Sequence, residues 1–134
     1  VAGSRDGPRW FAFSAFGIRF IALDSSYEDP AQLSWLRSEL EALPPRRAPA
    51  DCASNAGRQG RPLFAVALLH IGPYVEYWDP AVWFSPQENE KDWADFVRRD
   101  FAPLFERFGV DLVVSGHSHL YLRGFRNGVA YVTV

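Results

Sequence analysis

Cysteine occurs once, at Cys52, and histidine three times in 134 residues. A single thiol cannot close an intrachain disulfide, and it excludes a zinc site built on cysteines. No run of about 18 apolar residues is present, so the sequence holds no membrane-spanning stretch. No signal peptide is visible either. Valine stands at position 1 in place of methionine, which is read as a piece of a longer protein whose targeting segment lies elsewhere. Excess charge is missing too. A net charge of −2 gives no basic footprint for nucleic acid and no polybasic patch for anionic lipid. Arginines cluster only locally, in "PPRRAP" and "FVRRD".

What is present is a soluble-type composition, 48% hydrophobic and 16% aromatic, on a length that makes one domain spanning 1–134. "RWFAFSAFGIRFIALDSS" reads as two strands joined at a tight turn, with Gly17 and Ile18 as the break. "IRFIALD" is nearly all apolar, the mark of a strand buried on both faces. In "DPAQLSWLRSELEAL", Asp29 can cap a helix, Pro30 suits its first position, and Leu33, Leu36, Leu40 and Leu43 form one stripe. Pro44 and Pro45 stop it. Residues 44–62 lack periodicity and read as a flexible loop.

"LFAVALLH" is a second buried strand, ending at His70. A long aromatic loop follows, with Tyr74, Tyr77, Trp78, Trp83 and Phe84 inside 73–84. "EKDWADFVRRDFAPLFERFG" is an amphipathic helix that Pro103 kinks or divides and Gly109 ends. "VDLVVSG" is the third buried strand, and Asn127-Gly128 signals a closing hairpin. The order predicts an α/β fold: a mixed sheet with crossover helices in a layered sandwich.

In such folds ligands bind beyond the carboxyl ends of the strands. All three histidines fall there: His70 after one buried strand, His117 and His119 after the next. Three imidazoles converging in one crevice would suit zinc, iron, manganese or a similar ion. The one-residue gap between His117 and His119 fits two adjacent ions better than one. Gly116 would free the backbone to turn. The competing reading is that each is an ordinary capped or surface histidine. A two-ion site also needs carboxylates, and the candidates are Asp24, Asp111, Glu76, Asp79 and Glu88. Asp111 is expected inside a strand, pointing away from the site or capping locally.

The stretch "GVDLVVSGHSHLYLRG" resembles the carboxyl-terminal motif of the calcineurin-like metallophosphoesterases, in particular their purple acid phosphatase-like branch. There a Gly-His-x-His pair follows a buried strand and precedes Tyr and Arg, here Tyr121 and Arg123. "ALLHIGPY", "FIALDS" with its "QLSWL" helix, and "RNGVAYVTV" are similar to further family motifs, in the family's order. The resemblance implies a metallophosphoesterase-type sandwich, of which this chain is the second half. It implies that His70 and His117 ligate one metal and His119 the other, in a dinuclear centre of Fe, Mn or Zn. Such a centre positions a phosphoester and activates a hydroxide for attack on phosphorus. Asp24 has a place in the pattern as a structural residue bracing a neighbouring loop.

The family's Asp-x-His, Gly-Asp-x-x-Asp and Gly-Asn-His motifs are absent from these 134 residues. The expected partners are therefore a phosphoester substrate and the missing amino-terminal half of the domain. The chain alone should bind metal weakly and turn over little or not at all. Relatives of this branch are often exported, which points to a secreted or periplasmic parent. Two other readings compete. One is a non-catalytic binding module gripping a partner with the aromatic loop 73–84, against which stands packing of those rings over the core or against the missing half. The other is a mononuclear zinc hydrolase on the three histidines.

Overall fold

Phe16 and Gly17 carry φ of 52° and 79°, the paired left-handed geometry of a two-residue hairpin turn matched to strand twist. They join β1 (Phe11–Ala15) to β2 (Ile18–Ala22). The turn thus falls one residue earlier than the sequence indicates, with a phenylalanine at a left-handed position. The structure, a computed structural model, describes residues 9–44, 64–74 and 95–134. The expected loop 44–62, beyond Pro44, lies outside the described residues. So do Cys52, Glu76, Tyr77, Trp78, Asp79, Trp83, Phe84 and Glu88.

Helix α1 (Pro30–Glu41) begins as its sequence dictates: Asp29 Oδ1 accepts the Ala31 N–H at 2.9 Å and Pro30 occupies the first turn. Leu36 and Leu40 are fully buried. After β3 (Phe64–Leu68) comes a π-helical stretch, Val97–Phe101, which runs into helix α2 (Ala102–Phe108). Pro103 sits in the first turn of α2, directly after the π-helical stretch, so its missing N–H falls where the helical hydrogen-bond pattern changes. The expected division at Pro103 is therefore a change of helical type. Gly109, at φ 74° and ψ 43°, ends α2 with its N–H on the Phe105 carbonyl.

Strand β4 is Leu112–Ser115. Asp111, expected inside this strand, precedes it and clamps the start of β3. Its Oδ2 accepts the Ala65 N–H at 2.9 Å, and its own N–H donates to the Ala65 carbonyl. Strands β5 (Leu122–Arg126) and β6 (Val129–Thr133) meet at Asn127-Gly128, both at positive φ.

The strands form one mixed sheet in the order β1-β2-β3-β4-β6-β5. β2, β3, β4 and β6 run parallel; β1 and β5 close the two edges antiparallel. Register decides which residues share a face. Ile21, Ala67, Val113 and Tyr131 lie in one row across the central strands, and all are buried in one core with Leu36, Leu40, Val97, Phe101 and Phe105. Both helices therefore cover this face. The alternate row, through Phe13, Phe20, Val66, Leu112 and Ala130, contains no buried residue. The apolar runs predict burial on both faces; among the described residues only one face is covered.

Candidate metal site

β3 and β4 are parallel neighbours, paired Leu68 to Val114, so their carboxyl ends open side by side. The chain leaves β3 as Leu69-His70-Ile71-Gly72. Leu69 N–H still bonds to the Val114 carbonyl, and Gly116 N–H bonds to the His70 carbonyl at 2.9 Å. The two histidine-bearing loops are thus stitched together by backbone. His70 Nε2 and His117 Nδ1 stand 3.1 Å apart, their rings edge-to-face at 83°.

Beneath them lies a set of hydroxyls. Ser25 Oγ, 1% exposed, accepts the Ile71 N–H at 2.6 Å. Ser115 Oγ and Thr133 Oγ1, both buried, are 3.0 Å apart. Gly72 passes so close that a Cβ there would lie 2.4 Å from Ser115 Oγ. Four strand ends, those of β2, β3, β4 and β6, are held in one polar layer by these contacts. Ser25, Gly72, Ser115 and Thr133 escape a search for chemistry in the sequence. Their only trace is that small and hydroxylic residues interrupt apolar runs at the final strand positions.

Gly116 is not the turning point. It lacks a positive φ, and an added Cβ would make only ordinary contacts at 3.5 Å and beyond. The turn is made by His117 at φ 71° and His119 at φ 53°. Left-handed backbone at two histidines costs on the order of 1–2 kcal/mol each.

The expected site residues therefore separate. His70, itself exposed, and half-buried His117 come together, whereas His119 does not join them in a ligand group. Among the described residues no group of three or more His, Cys, Asp or Glu is placed to hold an ion. Asp24 is committed elsewhere: its Oδ1 accepts the Ser26 N–H at 2.9 Å and Oδ2 pairs with Arg9 at 3.5 Å. Buried Gln32 brackets its backbone, accepting from Asp24 N–H and donating to Asp24 O, each at 2.8 Å. Asp24 thus braces the loop between β2 and α1.

The pair is chemically suited to an ion. Two nitrogens bound at about 2.0–2.1 Å to one ion are separated by roughly 3.0 Å at a right angle and 3.4 Å at the tetrahedral angle. The observed 3.1 Å falls between. A direct hydrogen bond holds the same spacing, with one ring nitrogen protonated. Loading an ion would then require that ring to move its proton to the far nitrogen.

Behind His70, Tyr74 ties the loop to helix α2. Its hydroxyl donates to Glu106 Oε1 at 3.4 Å, and its ring packs edge-on against Tyr131 at 4.9 Å. Burial pushes the Tyr74 hydroxyl up to about 12, assisted by the Glu106 carboxylate and opposed by Arg126. Burial raises Tyr131 as well. Tyr74, one ring of the expected aromatic loop, packs on the core.

No protein-family model matches the chain. Two uncharacterized proteins of Mycobacterium tuberculosis, one from strain CDC 1551 / Oshkosh and one from strain ATCC 25618 / H37Rv, are 31% identical to it over 117 residues. The match takes in 85% of this chain and 20% of each relative, so the chain spans a fifth of their length. Among solved structures, purple acid phosphatase from yellow lupin (Lupinus luteus) seeds superposes with a TM-score of 0.63 at 16% identity, over 93% of this chain and 22% of that one. GAP50, the anchor in the inner membrane complex of Plasmodium, superposes with a TM-score of 0.54 at 15% identity, over 92% and 35%. The fold is accordingly a mixed α/β sandwich of the phosphoesterase type.

Proposed function

We propose that this chain supplies the histidine-bearing part of a metal-dependent phosphoesterase site. The observation that carries the reading is the His70–His117 pair, 3.1 Å apart at the carboxyl ends of adjacent parallel strands. The phosphatase fold likeness gives it a substrate class. In this reading His70 and His117 hold one ion, and His119 serves a second. The bridging carboxylate comes from the amino-terminal half of the domain, outside these residues. Metal ions in such a site polarise the phosphoryl group and lower the pKa of water. The chain's own part is to fix two neutral imidazoles. Ser25, Gly72, Ser115 and Thr133 hold the loops that carry them. A mononuclear zinc hydrolase on three histidines gains no support, because among the described residues no three such ligands are grouped to hold an ion.

The test is hydrolysis of an activated aryl phosphate with added Mn²⁺, Fe or Zn²⁺. The chain alone should stay near background. Turnover should rise when the amino-terminal half of a longer relative is co-expressed and associates, and should vanish in His117→Ala. Demonstrated association without turnover would count against the reading.

A further inference from the structure

Glu106 lies on α2 with its side chain 19% exposed, and it gathers donors from the loop after β3, the β5–β6 turn and strand β6. Asn127 Nδ2 donates to Oε2 at 2.8 Å. The hydroxyls of Tyr74 and Tyr131 reach Oε1 at 3.4 and 3.5 Å, and Arg126 Nε stands 3.7 Å from the same oxygen. A carboxylate offers about four acceptor positions, so one residue serves them all. Tyr74 is thereby gripped on three sides. Its hydroxyl meets Glu106, its ring packs on Tyr131 at 4.9 Å, and the Arg126 guanidinium lies 5.2 Å over its ring centre.

The link from Tyr74 back to His70 is short. Ile71, Gly72 and Pro73 between them are buried, and the proline ring fixes one backbone torsion. Such a link has little slack. His70 is itself exposed, so its ring takes its place from the loop backbone more than from packing. Tyr131 lies on β6 opposite Val113 of β4, and β4 leads directly to His117. The Glu106 cluster therefore refers both histidines to one frame.

We propose that Glu106 is a positioning residue for His70: acting through Tyr74, it fixes the far end of the His70 loop against β6 and so sets the His70–His117 spacing. Its use in metal binding rests on the proposed phosphoesterase site; the positioning itself does not.

Nuclear Overhauser contacts between the two imidazoles, recorded on the metal-free full chain, test the positioning, and Zn²⁺ binding at equilibrium tests its use. The wild type should show the ring-to-ring contact. Glu106→Ala should lose it with circular dichroism unchanged, and its Zn²⁺ Kd should rise about tenfold or more. Glu106→Gln, which keeps an acceptor for the Tyr74 hydroxyl, should restore both. Should Glu106→Ala unfold, Tyr74→Phe decides: it removes the hydroxyl alone and should weaken the contact and raise the Kd. A ring contact of wild-type strength in folded Glu106→Ala, or in Tyr74→Phe where that decides, would overturn the proposal and leave Glu106 as a stabilising residue only. Loss of the contact in Glu106→Ala beside a wild type that binds no Zn²⁺ would support the positioning and sink the metal reading.

Discussion

At the scale of single residues, two glycines flank the histidine pair and behave oppositely. Gly72 touches Ser115, so Gly72→Ala drives a methyl into the hydroxyl layer under His70. The expected loss is about 1–3 kcal/mol, read as a lower denaturant midpoint. Gly116→Ala meets only ordinary contacts and should stay within about 1 kcal/mol of wild type. The more prominent glycine of the motif is thus the replaceable one. A sequence shows that Gly116 precedes a histidine; it does not show that Gly72 passes over Ser115, 43 residues away.

Tyr74 gives a pH-dependent prediction at the same scale. Its folded-state pKa is raised, so the stabilisation is complete below the ordinary value of 10.0 and is lost as pH climbs toward about 12. Melting temperature should therefore fall across that window. Tyr74→Phe should flatten the fall in part, because Tyr131 is raised too. An unchanged alkaline slope in Tyr74→Phe would show that the hydroxyl is not held in the core.

At the scale of elements, legibility follows locality. Asp29-Pro30 starts α1, Gly109 ends α2 and Asn127-Gly128 turns the last hairpin, because caps and tight turns are set by a few adjacent residues. Asp29→Ala should cost about 1 kcal/mol, measured by chemical denaturation. Arg9 should lose its 3.0 Å ion pair at the same time, adding little at an exposed site. Features that depend on distant neighbours were less legible. The first turn falls at Phe16 because β1 and β2 pair up to Ala15 opposite Ile18, leaving Phe16 and Gly17 as the two turn residues. Asp111 left the strand because its carboxylate serves Ala65 on the neighbouring chain segment.

At the scale of the molecule, the same limit governs the faces of the sheet. A run such as "LFAVALL" says that both sides of a strand are apolar and does not say what lies against either. The helices settle one side, and the fold likeness to purple acid phosphatase places the sheet in a layered sandwich. The histidine pair was legible because strand order in α/β folds brings successive strand ends together. The failure of His119 to join it was not, since the left-handed backbone at His117 and His119 is not visible in the sequence.

The most direct test of the central claim is the Zn²⁺ bound by the purified chain at equilibrium, in dialysis with excess Zn²⁺ kept on both sides of the membrane, beside His70→Ala, His117→Ala and His119→Ala. If His70 and His117 form one ligand pair, the wild type and His119→Ala bind metal and the other two variants lose it. Equal binding in all four chains would contradict the account. Loss in His119→Ala as complete as in His117→Ala would contradict it as well.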